Sequence, residues 1–387
     1  MSSFANEDKR WVGTWAAPVQ PVWGSELPFD TQVPMLDGPC RIRQQLRCSV
    51  AGSSIRVVFS NEYGSSDLVL GETRIAVSAN TVDVSVWTTI TFKANAQVTI
   101  PAGCRVTSDE LPLTLAALDL VELDTQLEWP TEGMRTFHWD ARETTTLVAE
   151  QGATVHETTA RLLVCAIEVV GVADQSAVAV VGDSIVNGFG IDKDSFSCWV
   201  DVLTQRAAPW QLAVLNLGQS GSKLSGRGLG VDTLSRFERD GLVQAGLGAV
   251  IVQAGLNDLG WPQTVIDPDG GVPAAHDIIG AYQQLIGHAR KRGVKVIGCT
   301  LSPYKGAFEG TPFKDFWSPI KEQIRQQVNA WLRSSGTFDA VIDVDLLLRD
   351  PNDHQRLSEA YDCGDHLHPN VLGSSVIAAS VQLESLR

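Results

Sequence analysis

The feature that most constrains the fold is a change of hydrophobic period near residue 175. Beyond it, short and almost wholly apolar runs alternate with segments whose apolar residues recur at the helical spacing i, i+3, i+4 and i+7. The apolar runs lie at residues 177–181, 213–217, 249–253, 294–299 and 340–344. Strands buried on both faces and separated by helices are typical of a parallel sheet with helices on both sides. Right-handed crossovers then favour a flavodoxin-like, five-stranded parallel sheet.

Three helices of this part have clear signals. The apolar spacing of Phe196, Trp199, Val200 and Leu203 predicts one of them. Ser318 followed by Pro319 has the sequence of an N-cap with proline at the first helical position, so a second helix is expected to begin there. A last helix is predicted at residues 371–383.

The first part of the chain has a different pattern. Between residues 41 and 170, short alternating runs are separated by Gly, Asn, Asp or Pro, which predicts an antiparallel β-sandwich. Residues 122–140 are irregular, and no element is predicted there. The predicted strands lie at residues 54–60, 73–78, 84–92, 97–100 and 161–169.

The polar segment 171–176 is the best boundary between the two patterns. We therefore predict an N-terminal β-rich accessory domain at residues 1–172 and an α/β domain at residues 173–387. No internal repeat crosses this boundary.

Charge and composition argue against several classes of partner. The formal net charge of −15 would repel nucleic acid and anionic lipid surfaces. No apolar run approaches the roughly 18 residues that span a bilayer, so no membrane insertion is expected. The first ten residues, MSSFANEDKR, are followed by no apolar segment of a signal peptide, which favours a cytoplasmic protein with secretion left open. The oligomeric state is left open as well.

Polar residues follow three successive strands of the predicted sheet. Ser184 ends the segment GDS after the first strand, the segment NLGQSG follows the second, and GLND follows the third. A hydroxyl at a strand's carboxyl end can be presented as a nucleophile. A backbone N–H beside a glycine and the amide of Asn257 can bind a developing oxyanion. Singly, each has an ordinary alternative as an N-cap or a turn residue.

Near the C-terminus, the segment DHLHP supplies a candidate base. A serine hydroxyl needs a group that accepts its proton, and an imidazole oriented by a carboxylate does this near neutral pH. Asp365 and His368 are three residues apart and can meet directly. His366 is the alternative imidazole.

Two cofactor sites are weighed as alternatives. Cys363, Asp365, His366 and His368 have a spacing compatible with a metal cluster, but no second cluster of Cys or His pairs with them. A flavin or nucleotide site at the first strand's turn is disfavoured because the turn lacks both the GxGxxG and the Walker pattern. We therefore expect no metal and no organic cofactor.

Together, the segments GDSI, NLGQSG, GLND and DHLHP resemble the four sequence blocks of the SGNH (GDSL-like) hydrolase superfamily, from residue 177 to the end. The resemblance implies Ser184 as nucleophile, His368 as base and Asp365 as the third member of a triad. It also implies an oxyanion hole made by Ser184, Gly221 and Asn257.

Two positions differ in how closely they fit this resemblance. Gly218 competes with Gly221 for the family's glycine, but Gly221 fits the N-x-x-x-S-G spacing from Asn216 better. Ile185 stands where leucine is usual, a change that conserves volume. The N-terminal segment WVGTW before a β-rich region loosely resembles a subgroup that includes carbohydrate deacetylases.

The expected function is that of a serine esterase acting through an acyl-enzyme. The substrate is expected to be a short-chain or acetyl ester of a small molecule or a carbohydrate. The alternatives are an acyltransferase, a lipase or thioesterase for longer chains, and a binding module without activity. The pocket is expected from the loops 261–275, 304–317 and 346–364, with Trp261, Tyr304 and Phe308 as candidate substrate contacts.

Overall fold

The alternating residues of the first part form antiparallel sheets in the computed structural model of the chain. The structure describes residues 9–24, 27–31, 33, 39–78, 86–128, 133–149 and 154–387. The strands of this part are β1 (Trp11–Ala16), β2 (Gln20–Pro21), β3 (Pro39–Arg47), β4 (Ile55–Ser60), β5 (Leu68–Ser78), β6 (Thr88–Ile90), β7 (Val98–Ile100), β8 (Arg105–Thr107), β9 (Leu120–Glu128), β10 (Thr136–His138), β11 (Thr145–Ala149), β12 (Thr154–Thr158), β13 (Arg161–Leu162) and β14 (Val164–Val170).

These strands belong to three sheets. Their orders are β1-β14-β4-β8, β13-β10-β2 and β12-β11-β3-β9-β5-β6, with β7 beside β5 in the last sheet. Along β3, residues alternate strictly between buried and less buried positions. That alternation is the period of two expected of a strand with one face in the core.

The prediction of no element at residues 122–140 is wrong, because β9 and β10 lie there. Acidic residues hide the alternation in β9. Asp124 is fully buried yet forms ion pairs with three arginines, Arg41 at 2.5 Å and Arg43 and Arg74 at 3.1 Å each. The strand predicted at residues 84–92 overlaps β6, and residues 79–85 lie outside the described residues.

The apolar runs of the second part form one parallel sheet, which confirms the predicted fold class. Its order is β16-β15-β17-β18-β19, the flavodoxin-like order. From its second residue to its last, β15 is entirely buried, as helices on both faces require. The five strands are β15 (Ser176–Gly182), β16 (Leu212–Gly218), β17 (Leu247–Gln253), β18 (Lys295–Cys299) and β19 (Ala340–Ile342).

Helices connect and cover these strands. Ser318 caps the sixth of them, and Pro319 is its first residue, as predicted. The prediction that Phe196 belongs to the second helix is wrong. Its φ of +49° is left-handed, and that helix begins at Trp199. In the described part of the chain, no helix is both long and apolar enough to cross a membrane. The helices of this part are α1 (Ser184–Asn187), α2 (Trp199–Ala207), α3 (Thr233–Arg236), α4 (Leu256–Gly260), α5 (Ala275–Lys291), α6 (Pro319–Ser334), α7 (Val344–Leu348) and α8 (Val371–Ser380).

Short helical turns complete the second part. A π-helix at Phe237–Leu242 directly follows α3, and 3₁₀ turns lie at Ala208–Trp210, Lys314–Phe316 and Leu383–Leu386. The last of these follows α8, which ends three residues before the predicted position.

The change from antiparallel to parallel pairing falls between β14 and β15, within the segment expected from the sequence. The two parts touch along β1 and β16. Gly13 N–H donates to Ala245 O at 2.8 Å, and Ser49 Oγ donates to Val214 O at 2.7 Å. The division into domains at residues 172 and 173 stays a prediction.

Gly218 lies where the backbone of α1 comes close to the sheet. A Cβ at this position would lie 2.2 Å from the backbone nitrogen of Asn187. The backbone of α1 therefore packs directly on the end of β16. This close approach gives Gly218 a packing role of its own.

We predict that Gly218→Ala lowers the melting temperature by several degrees, because overpacking against backbone costs about 1–3 kcal/mol. Gly248→Ala in β17 is the matched control, since its added Cβ would meet its nearest neighbours only at 4.0 Å. Thermal unfolding of both variants is the measurement. Equal melting temperatures for the two variants would contradict the packing role.

Candidate active site

Ser184 lies where β15 turns into α1. Asp183 is the N-cap of this helix, and its Oδ1 accepts a hydrogen bond from Ile185 N–H at 3.0 Å. Burial raises the pKa of Asp183 to about 7. The turn fixes the Ser184 side chain at the carboxyl edge of the sheet, where the two neighbouring strands also end.

A chain of hydrogen bonds links three of the predicted residues. Ser184 Oγ lies 2.7 Å from His368 Nε2, and His368 Nδ1 lies 2.6 Å from Asp365 Oδ2. His368 is only 3% exposed. A ring nitrogen that donates to a carboxylate leaves the other nitrogen free to accept a proton.

Asp365 is held in its charged form by its surroundings. Its Oδ1 also accepts from the backbone N–H groups of Leu367 and His368, each at 2.9 Å. Burial acts to raise the pKa of Asp365, but the hydrogen bonds and the nearby imidazole outweigh it and hold the pKa well below its usual range. The carboxylate can therefore orient the ring and stabilise an imidazolium.

Gly221 and Asn257 are the residues predicted to bind an oxyanion together with Ser184. Among the described residues, none accepts a hydrogen bond from the backbone N–H of Ser184 or of Gly221. Gly221 has a φ of +75°, and a Cβ there would lie 2.4 Å from Leu229 Cδ1, so glycine is required. Asn257 donates from Nδ2 to Ser222 O at 2.9 Å, which leaves its second amide hydrogen.

Helix α4 fixes the loop that carries Gly221. Trp261 Nε1–H donates to Gly221 O at 2.8 Å. Asp258 accepts from the N–H groups of Leu224 at 2.6 Å and Ser225 at 3.1 Å. The helix N-cap is Gly255, so Asn257 is not the N-cap that the sequence left as an alternative. These contacts explain why the segments NLGQSG and GLND meet.

Arg236 is a supporting residue that sequence reasoning missed. It is fully buried, and its guanidinium donates to Leu217 O at 2.9 Å and to Gly182 O at 2.8 Å. Burial lowers its pKa to about 10. It binds carbonyls at the ends of β15 and β16, and no local pattern around it indicates this contact.

A cavity of about 240 Å³ opens beside Ser184 and His368. Apart from Ser184, Ser220, Gly221, Asn257 and His368, its lining is largely apolar. The other lining residues are Phe29, Trp139, Phe189, Leu229, Trp261, Phe308, Thr311, Phe313 and Leu367.

The three residues predicted to contact the substrate differ in whether they line the cavity. Trp261 and Phe308 line the cavity, but Tyr304 does not. Tyr304 is fully buried with its ring edge-on to Phe316, 6.0 Å between centroids, so its assignment as a substrate contact is wrong. Loop 346–364 contributes no lining residue either.

His366, the alternative imidazole, lies outside this arrangement. Its Nδ1 pairs with Asp362 Oδ2 at 2.6 Å, and its side chain is 38% exposed. Ligand atoms of Cys363, Asp365 and His368 lie within 4.8 Å of one another and could hold a cation. A cation there would have to replace the proton shared by Asp365 and His368.

Comparisons with known proteins give one family. The model of the GDSL-like lipase/acylhydrolase family matches residues 180–376. No curated protein matches the chain.

Several solved structures are similar to part of the chain. A putative lipolytic protein of the G-D-S-L family from Desulfitobacterium hafniense has 19% identity and a TM-score of 0.38, with 53% of this chain and 97% of that chain covered. The acetyl xylan esterase AlAXEase has 21% identity and a TM-score of 0.39, with 53% and 96% covered. The inhibitor-bound aryl esterase of M. smegmatis has 16% identity and a TM-score of 0.42, with 55% and 100% covered.

Proposed function

This chain belongs to the GDSL-like lipase/acylhydrolase family, whose model matches just over half of its length, and on that premise we propose that it is a serine esterase. It hydrolyses carboxylic esters through a covalent acyl-enzyme on Ser184. The observation that carries the proposal is the continuous path of two hydrogen bonds, 2.7 Å and 2.6 Å long, from Ser184 Oγ through His368 to Asp365.

In the first step, Ser184 Oγ attacks the ester carbonyl carbon while His368 Nε2 accepts the hydroxyl proton. Asp365 stabilises the imidazolium that forms. The tetrahedral intermediate then collapses, and His368 returns the proton to the departing alcohol. The acyl group is left on Ser184.

The developing oxyanion is bound by the N–H groups of Ser184 and Gly221 and by the second amide hydrogen of Asn257. Two of these donors have no acceptor among the described residues, so they need not break a protein hydrogen bond to bind the oxyanion. Donors fixed in advance stabilise the transition state more than groups that must reorient.

Water completes the reaction by the same path. His368 accepts a proton from the water that attacks the acyl-enzyme, and Ser184 leaves with that proton. Water is the acceptor implied by the family's description as acylhydrolases. The chain's own residues suffice for each of these proton transfers.

The cavity bears on the choice among esters. The sequence favours short-chain or acetyl esters of small molecules or carbohydrates. The largely apolar lining supports an ester of a small molecule, because a sugar would find few hydrogen-bond partners besides the few polar lining residues.

We predict that Ser184→Ala and His368→Ala each lower ester turnover by about three decades or more, because nucleophile and base act as one unit. His366→Ala is the matched control, since its imidazole pairs with Asp362 and does not reach Ser184. It should keep turnover within a few-fold of wild type. Initial rates on a small ester, with circular dichroism to verify folding, make the comparison.

More than a tenth of wild-type turnover in purified, folded Ser184→Ala would contradict the nucleophile assignment. A greater loss in His366→Ala than in His368→Ala would show that the other imidazole is the base.

Asn257 gives a separate prediction about the oxyanion. Asn257→Ala should lower kcat by about two to three decades with little change in KM, the loss typical of one oxyanion donor. Asn257→Asp, which keeps the size but replaces the donor by an acceptor, should be no better. Steady-state kinetics and thermal unfolding on the same preparations test this. A lower melting temperature with unchanged kcat would remove Asn257 from the catalytic residues.

A further inference from the structure

We propose that the N-terminal part of the chain supplies part of the substrate site and makes this site select esters that carry an apolar group. Phe29 and Trp139 from the N-terminal part form, with Phe313 from the α/β part, an aromatic wall of the cavity. The inference rests on the proposed function, because it names the substrate class of that same site.

The aromatic wall is continuous across the two parts of the chain. The ring of Phe29 stacks on that of Phe313 at 5.4 Å between centroids and 14° between planes. The ring of Trp139 also contacts Phe29, at 5.4 Å between centroids and 47° between planes. Trp261 continues the lining, edge-on to Phe313 at 6.1 Å.

Hydrogen bonds fix the N-terminal rings of this wall. Trp139 Nε1–H donates to Asp30 O at 3.2 Å. Trp23 packs edge-on against Trp139 at 5.2 Å and donates from Nε1 to Phe29 O at 2.7 Å. Phe29 and Trp139 therefore hold their positions while remaining only half-buried, and both side chains line the cavity.

The wall is also tied to the helix that carries the nucleophile. Asn187, at the end of α1, accepts from His138 Nε2 at 2.9 Å and donates to Asp140 O at 2.6 Å. Its amide also donates to Ser220 Oγ at 3.0 Å. Trp139 lies between these two partners in the chain, so its distance from Ser184 is set by buried hydrogen bonds.

The lining of the cavity combines a few polar residues, among them Ser184, His368 and Asn257, with a larger apolar set. The ester carbonyl belongs beside these polar residues, which leaves the aromatic wall for one side of the ester. The volume has room for about eight water-sized groups. Each methylene buried against such a wall contributes about 0.8 kcal/mol, or roughly fourfold in binding. An aryl or medium-chain alkyl group fits this space, as the acyl group or as the alcohol.

The test compares methyl acetate with esters that extend one side only. Methyl octanoate extends the acyl side, octyl acetate and benzyl acetate extend the alcohol side, and an acetylated methyl xyloside replaces the apolar group by a sugar. Acid release is followed by pH-stat below the solubility limit of each ester. In the wild type, kcat/KM for at least one apolar ester should exceed that for methyl acetate by about tenfold or more. The xyloside should gain no such factor.

Substitutions in the aromatic wall test whether its side chains cause the preference for apolar esters. Phe29→Ala and Trp139→Ala should each lower kcat/KM for the favoured apolar ester about tenfold more than they lower kcat/KM for methyl acetate. Trp87→Ala is the matched control, a half-buried tryptophan of the N-terminal part that packs on Arg74 and does not line the cavity. It should change neither rate.

The possible outcomes separate this inference from the proposed function. Methyl acetate hydrolysis that depends on Ser184 without any gain for the apolar esters would overturn the aromatic-wall selectivity alone. An equal loss on all esters in both wall variants would do the same, since it indicates a general defect. Failure to hydrolyse any of the esters would overturn the esterase proposal and this inference with it.

Discussion

The hydrogen bond between Ser184 Oγ and His368 Nε2 joins residues 184 positions apart, and the site depends on this contact. The two partners meet only because the strand ends beneath them are fixed. Gly218 lets the backbone of α1 rest on β16, and Arg236 binds carbonyls at the ends of β15 and β16. The carboxylate of Asp365 then fixes the ring through three hydrogen bonds to one short segment.

Several contacts between the N-terminal part and the α/β part are polar. Arg47 of the N-terminal part pairs with Asp201 of the α/β part at 2.9 Å. Glu143 and Arg161, both of the N-terminal part, form an ion pair of 2.8 Å beside a cavity of about 60 Å³ that residues of both parts line. Burial lowers the pKa of His138 to about 4, so this ring stays neutral as it donates to Asn187. Buried polar groups are stable only with their partners in place. This interface therefore holds the parts in one arrangement, as a shared substrate cavity requires.

The sequence predicted the parallel sheet because apolar runs and helical spacing are local patterns, and it predicted Ser184 and Asn257 at one edge because parallel strands end together. His368 was predicted from its spacing to Asp365 and from the resemblance of the segment DHLHP to the family's last sequence block. It missed β9, where acidic residues interrupt the pattern and arginines from other strands neutralise Asp124. Phe29, Trp139 and Arg236 act through contacts that no local period encodes. Tyr304 and Phe308 lie in one loop without a regular period, so the sequence could not tell the core residue from the cavity residue.

The central claim is that the path from Asp365 through His368 activates the Ser184 hydroxyl. Labelling with an alkyl fluorophosphonate, followed by peptide mass spectrometry, tests it most directly, because this reagent reacts with an activated serine and leaves a stable adduct in place of the acyl group. The account predicts one adduct per chain, on Ser184, and its loss at the same reaction time when His368 is replaced by alanine. An unlabelled Ser184 in folded protein, or an adduct on another serine instead, would contradict it.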